Sequence, residues 1–375
     1  MLYTAAVTLC ALLISAILAL AGRETPAAVA HLAFAVGIVP LIFAAITHFV
    51  PVLTRTGDAP RGPFRFLSVA AQLAGLLAVV ALAGWGPRWL LHPAALIDFV
   101  LAGVLLSWIA GRVRRCLGAP HPGWRWYAAA LGCLMLALAV VPFLAVPSGR
   151  FVALRNFHLH LNTLGLVGLA ALGTLPVLLP TALGRVDPEA AGWLRRRLWP
   201  VAGGAMSIAI GAAFSWALAV VGAALLCVVA LGLVGQWGRR FGRRALGQDG
   251  AGASLLAAVG GFLVVVVAGV AHGTGLGLGR SAIAAWAAGF LLPLVTGALS
   301  HLLPVWRWPG PGSPARQAMR TRLVAAGQVR ALCFLGAGLA LAGGQSALGG
   351  ALTGSAMSLF LFAVVRAMGV PAPAR

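Results

Sequence analysis

Five of the eight histidines, His31, His92, His158, His160 and His272, lie near the ends of apolar stretches. Neutral imidazole is a good ligand for copper, zinc or iron, and it is costly to leave unpaired in lipid. Several imidazoles at one depth are how a helix bundle holds a metal ion or the iron of haem. His158 and His160 stand about 200° apart on a helix, so they face different neighbours and do not share one small ion. Asn162, one turn after His158, is expected to orient its ring. Asp98 is the acid well inside an apolar stretch. It is expected to accept a histidine N–H, with proton handling or a plain structural hydrogen bond as alternatives. Arg150 and Arg155 just before His158, and Arg280 after His272, are candidates to neutralise haem propionates, against ordinary loop solvation.

Other residues carry less chemistry. His48 and His301 each precede a proline by three residues, which suits capping of carbonyls that the proline frees. His121, in "GAPHPGW", is given no role. The five cysteines are scattered without a C-x-x-C pair, so neither a disulfide framework nor a zinc site is expected. "GTGLGLG", residues 273 to 279, follows no strand and is not a dinucleotide fingerprint. No C-x-x-C-H occurs, so covalent haem attachment is not expected.

The elements that position these groups follow from composition. Of 375 residues 61% are hydrophobic and 9% charged, and mean hydropathy is +0.99. Such a chain belongs in a bilayer. Apolar runs near 2–22, 27–50, 66–85, 91–110, 126–147, 157–180, 199–216, 218–236, 254–275, 281–304, 323–343 and 346–367 predict twelve transmembrane helices. The first lacks a basic leader and a cleavage site and is expected to stay in the mature protein. The cations are all arginine, grouped in every second connection, for example Arg112, Arg114 and Arg115, then Arg195 to Arg197. That alternation puts both termini in the cytoplasm and speaks against nucleic acid as the partner of the positive charge. Residues 1–375 are expected to form a single integral membrane domain.

The chain also repeats itself. "AITHFVPVLTR", residues 45 to 55, returns as "ALSHLLPVWR", residues 298 to 307, and aligning Pro51 with Pro304 also aligns Pro40 with Pro293. "LGTLPVLLPTALGR", residues 172 to 185, gives a third copy with Pro180. Before these prolines stand "HLAFAVG" from His31, "HLNTLGL" from His160 and "AAWAAGF" from Ala284. The second, sixth and tenth helices are therefore read as equivalent. Three pseudo-symmetric four-helix units follow, about 1–125, 126–250 and 251–375.

A twelve-helix chain of three four-helix arcs resembles subunit I of the haem–copper oxidase and nitric oxide reductase superfamily. Its second, sixth and tenth helices line pores and carry metal-binding histidines near the outer side. The spacing of His160 to Pro180 is similar to the sixth helix of C-type oxidases. His160, Thr163 and Gly165 match the His-x-x-Thr-x-Gly element of the NnrS family of haem- and copper-containing membrane proteins, the closest resemblance. The chain departs from the oxidases at Ala282 and Ala284, where the tenth helix should carry a His-x-His pair, and its seventh helix has no copper-ligand histidines. The resemblance implies b-type haem with copper as a second candidate, and an inner, cytoplasmic bacterial membrane. It implies a redox partner on the outer side and redox chemistry or a response to nitric oxide or oxygen. An enzyme of this kind would be a membrane oxidoreductase acting on a diatomic gas. Expected ligands are His31 and His160, or either with His158 or His272; His92 is a further metal candidate. A transporter, or a metal-handling assembly factor without a redox centre, is the alternative.

Overall fold

The computed structural model describes every residue except 23, 58–61, 145–148, 276–281 and 372–375. Among the described residues the structure is helical, with no strand. We label the helices α1 (Leu2–Ala21), α2 (Pro26–Thr54), α3 (Leu67–Leu82), α4 (Arg88–Arg114), α5 (Gly123–Leu144) and α6 (Phe151–Ala182), followed by α7 (Ala190–Phe214), α8 (Trp216–Phe241), α9 (Gly250–Gly273), α10 (Ala282–Arg307), α11 (Pro314–Ala342) and α12 (Ser346–Met368). Each of the twelve apolar runs carries a helix over most of its described residues. Eleven are long and apolar enough to cross a membrane, and α3 is the shorter exception. Its 16 residues reach about 24 Å, against a hydrocarbon core of about 30 Å. This is an integral membrane protein by the length and apolarity of its helices.

Helix ends overrun the apolar runs because arginine and alanine continue a helix readily. So α7 begins at Ala190 and carries Arg195 to Arg197 inside it. Side-chain caps set the starts of α2, α9 and α11, at Thr25, Asp249 and Ser313. Thr25 accepts the Ala28 amide at 3.2 Å, ahead of Pro26 at the first helical position. The Thr25 hydroxyl also donates to the Leu82 carbonyl at the end of α3, 3.0 Å away. The long run 199–236 breaks at Ser215, between α7 and α8. Gly211 lies against the backbone of Ala219 there, with no room for a side chain.

Three stretches wind as wider π-helix: Leu32–Ile38 in α2, Leu161–Gly168 in α6 and Ala287–Leu291 in α10. The repeat alignment carries 32–38 onto 161–167 and 285–291, so the same turns of the three equivalent helices are widened. Pro40 and Pro293 follow two residues after the first and third stretches. A proline removes a donor and crowds the carbonyl four residues back, and a wide turn relieves that crowding. In α6 the matching residue is Leu169, and nothing in the structure explains the widening there. The Gly37 carbonyl in α2 is taken up by the Thr8 hydroxyl of α1, 2.9 Å away.

Two compact units are present, one of Met1–Gly173 with Ala191–Ala219, the other of Thr174–Ala190 with Val220–Arg375. In the first, Gly75 of α3 sits on the Ala35 peptide of α2. Fully buried Trp126 stacks on Trp193 and donates to the Leu194 carbonyl at 3.0 Å. In the second, Gly261, Gly289 and Gly338 bring the backbones of α9, α10 and α11 together. There α11 is interrupted at Ala326, whose φ is 52°. Fully buried Arg330 donates to the Leu323 carbonyl at 2.9 Å and to the Ser300 hydroxyl at 3.2 Å. Its guanidinium thereby caps the carbonyl end of the first piece, where the helix dipole favours a cation.

Candidate functional site

The first compact unit brings two histidines together near the starts of α2 and α6. His31, in the second turn of α2, donates from Nδ1 to the Ala27 carbonyl one turn back, at 2.8 Å. His158, in α6, donates from Nδ1 to the Ala137 carbonyl of α5, also at 2.8 Å. A neutral ring that donates from Nδ1 keeps its lone pair on Nε2. Each imidazole is thus fixed in one tautomer with the Nε2 lone pair available to bind a metal, the anchoring that metal-bound histidines use.

The two rings are nearly parallel, 14° apart in plane, with centroids separated by 6.3 Å. Imidazoles bound to opposite sides of one metal ion have centroids about 6 Å apart, given metal–nitrogen bonds of about 2.0 Å. Among the described residues no three His, Cys, Asp or Glu side chains converge as ligands. A zinc site made only of protein groups needs three or four donors. Haem iron takes four nitrogens from the porphyrin and asks the protein for axial ligands alone. Two anchored imidazoles match the number of ligands that haem asks of a protein, and among the described residues they fall short of a protein-only zinc site.

The remaining expected residues are placed as follows. The stacked partner of His31 is His158, not its repeat equivalent His160; the Nδ1 of His160 donates to the Asn156 carbonyl at 2.7 Å. Asn162 does not orient the His158 ring. It donates to the His158 backbone carbonyl at 2.8 Å, one turn back along α6, and the ring is held by Ala137 instead. His92 is exposed on α4, and His272 is exposed at the end of α9, in the second unit. Arg150 and Arg155 are exposed at the start of α6. Arg280 lies outside the described residues. Asp98 is buried, but its Oδ1 has no hydrogen-bond partner and no histidine donates to it. His301 does not cap a freed carbonyl through Nδ1, which is buried without a partner. His48 packs edge-on against Phe49 at 5.1 Å.

Sequence reasoning missed the Ala137 carbonyl, which fixes the tautomer of His158, because a backbone acceptor on another helix leaves no residue-type signal. It also missed the widened turns directly after His31 and His160, although Pro40 and Pro293 mark two of them. No family model matches this chain, and no curated protein matches it.

Proposed function

We propose that this chain is a haem-binding membrane protein in which His31 and His158 are the axial ligands of a b-type haem. The observation that carries the reading is the parallel imidazole pair, each ring anchored through Nδ1 and spaced as two ligands of one metal. When bound there, the haem supplies one-electron redox chemistry. The protein's part is to hold the rings: Ala27 and Ala137 fix their tautomers, and the apolar ends of α2 and α6 lower the local polarity. Arg150 and Arg155, exposed at the start of α6, would neutralise the haem propionates. Held by both His31 and His158, the group would serve electron transfer rather than binding of nitric oxide or oxygen. Copper is the second candidate occupant of the pair.

The same reading takes α3 as a twelfth, shorter span and assigns three four-helix units, supported by the three matching π-helical stretches. Both termini are cytoplasmic in the inner membrane of a bacterium, and a redox partner works from the outer side. The test is haem content of the purified protein from haem-supplemented cells. His31→Ala and His158→Ala each lose the pigment while staying folded, and His160→Ala keeps it. A colourless wild-type protein, or full haem content in both single variants, overturns the proposal.

A further inference from the structure

The second compact unit holds a cavity of about 500 Å³ lined by Thr181, His301, Ser313, Arg316, Gln317 and Arg320, with Pro304 and Val305 adding apolar wall. It lies at the arginine-rich end of α10, beside the start of α11. Positive charge exceeds negative around it. Asp249 is the nearby carboxylate, and both of its oxygens are engaged. Oδ1 accepts the amides of Ala251 and Gly252 at 3.0 and 2.9 Å, and Oδ2 accepts from Arg320 at 2.9 Å. Arg320 also donates to the Ala182 carbonyl. The Arg316 guanidinium donates to the Gly310 carbonyl at 2.9 Å, and among the described residues it has no carboxylate partner. Two buried nitrogens of the lining, Arg320 Nε and His301 Nδ1, have no hydrogen-bond partner. Buried polar groups are rarely left so, and the cost of one is about 1–3 kcal/mol.

We propose that this cavity binds a phosphate group, either the headgroup phosphate of an anionic lipid or a free phosphate. Planar guanidinium groups match phosphate oxygens two at a time. Ser313 and Gln317 add a hydroxyl and an amide donor, and the amino end of α11 adds its dipole. The volume exceeds what one phosphate needs and suits a glycerophosphate with its first acyl carbons against Pro304 and Val305. Basic pockets at the positive face of a membrane protein take lipid phosphates in this way. The site shares no residue with the histidine pair, so it stands or falls apart from haem binding.

Native mass spectrometry of the detergent-purified full chain tests it, with phosphatidylglycerol, phosphatidylcholine and inorganic phosphate as probes. Phosphatidylglycerol binds at least about tenfold tighter than phosphatidylcholine, and Arg316→Gln removes about tenfold of that affinity. Gln317→Glu, an exposed change that sets a negative charge in the lining, has a similar effect. Inorganic phosphate that raises the melting temperature of the wild type but not of Arg316→Gln, without selective lipid binding, identifies the free ion as occupant. Equal binding of both lipids with no response to phosphate, or unchanged affinity in both variants, overturns the proposal.

Discussion

Gly261 is the most sensitive packing position in the second unit. A methyl group there would overlap the Gly289 carbonyl of α10, and one on Gly289 would meet the Cα of Gly338 in α11 at 3.0 Å. Overpacking costs about 1–3 kcal/mol, and the upper end applies when the obstacle is backbone that cannot rotate away. Alanine in a helix interior returns about 0.8–1.0 kcal/mol relative to glycine. Gly261→Ala therefore destabilises by about 2 kcal/mol net. Gly269, two turns on in the same helix, has nothing within 4 Å of an added Cβ, so Gly269→Ala stabilises by up to about 1 kcal/mol. Because both variants share the propensity gain, their difference of about 3 kcal/mol isolates the overpacking. Denaturant unfolding of the detergent-solubilised protein, followed by circular dichroism, measures it. Equal stability of the two variants would refute close backbone contact between α9 and α10.

Three further perturbations follow from single contacts. Thr25→Ala removes the cap of α2 and its bond to the Leu82 carbonyl, and should lower stability by about 1 kcal/mol in the same unfolding assay. Arg330→Ala leaves the Leu323 carbonyl without its charged donor and opens a hole beside Phe360; a loss of about 3 kcal/mol is expected. Burial, and then the charge of Arg195, hold the pKa of His121 below the ordinary histidine value. The unfolded chain then binds that proton more readily, so His121 makes the protein lose stability as pH falls through about 6.5. His121→Asn should flatten the fall in melting temperature between about pH 7 and pH 5, where an unchanged profile would count against it.

Much of the fold was legible because length and apolarity are written residue by residue. A break near residue 217 was expected, since an unbroken helix over 199–236 would be about 57 Å long, nearly twice the hydrocarbon core, and the break falls at Ser215. The repeat was legible through Pro40, Pro51, Pro293 and Pro304, and its structural counterpart is the set of widened turns. Lengths at the ends were not legible, as with the start of α7 at Ala190, because arginine is both a good helix former and a sign of a loop. Residue type marked His31 and His158 as candidate ligands. Their pairing with each other was hidden, because the repeat alignment points from His31 to His160, whereas the approach of α2 to α6 depends on packing with α5. Asp98 shows the same limit: its chemistry is visible in sequence, while the absence of a histidine donor is a matter of three-dimensional placement.

Low-temperature electron paramagnetic resonance of the oxidised, purified protein addresses the histidine pair most directly. Two near-parallel imidazoles on one iron give a rhombic low-spin ferric signal, which His31→Ala and His158→Ala each convert to high spin or abolish. A high-spin signal in the wild type, or no haem iron at all, would contradict axial ligation by His31 and His158.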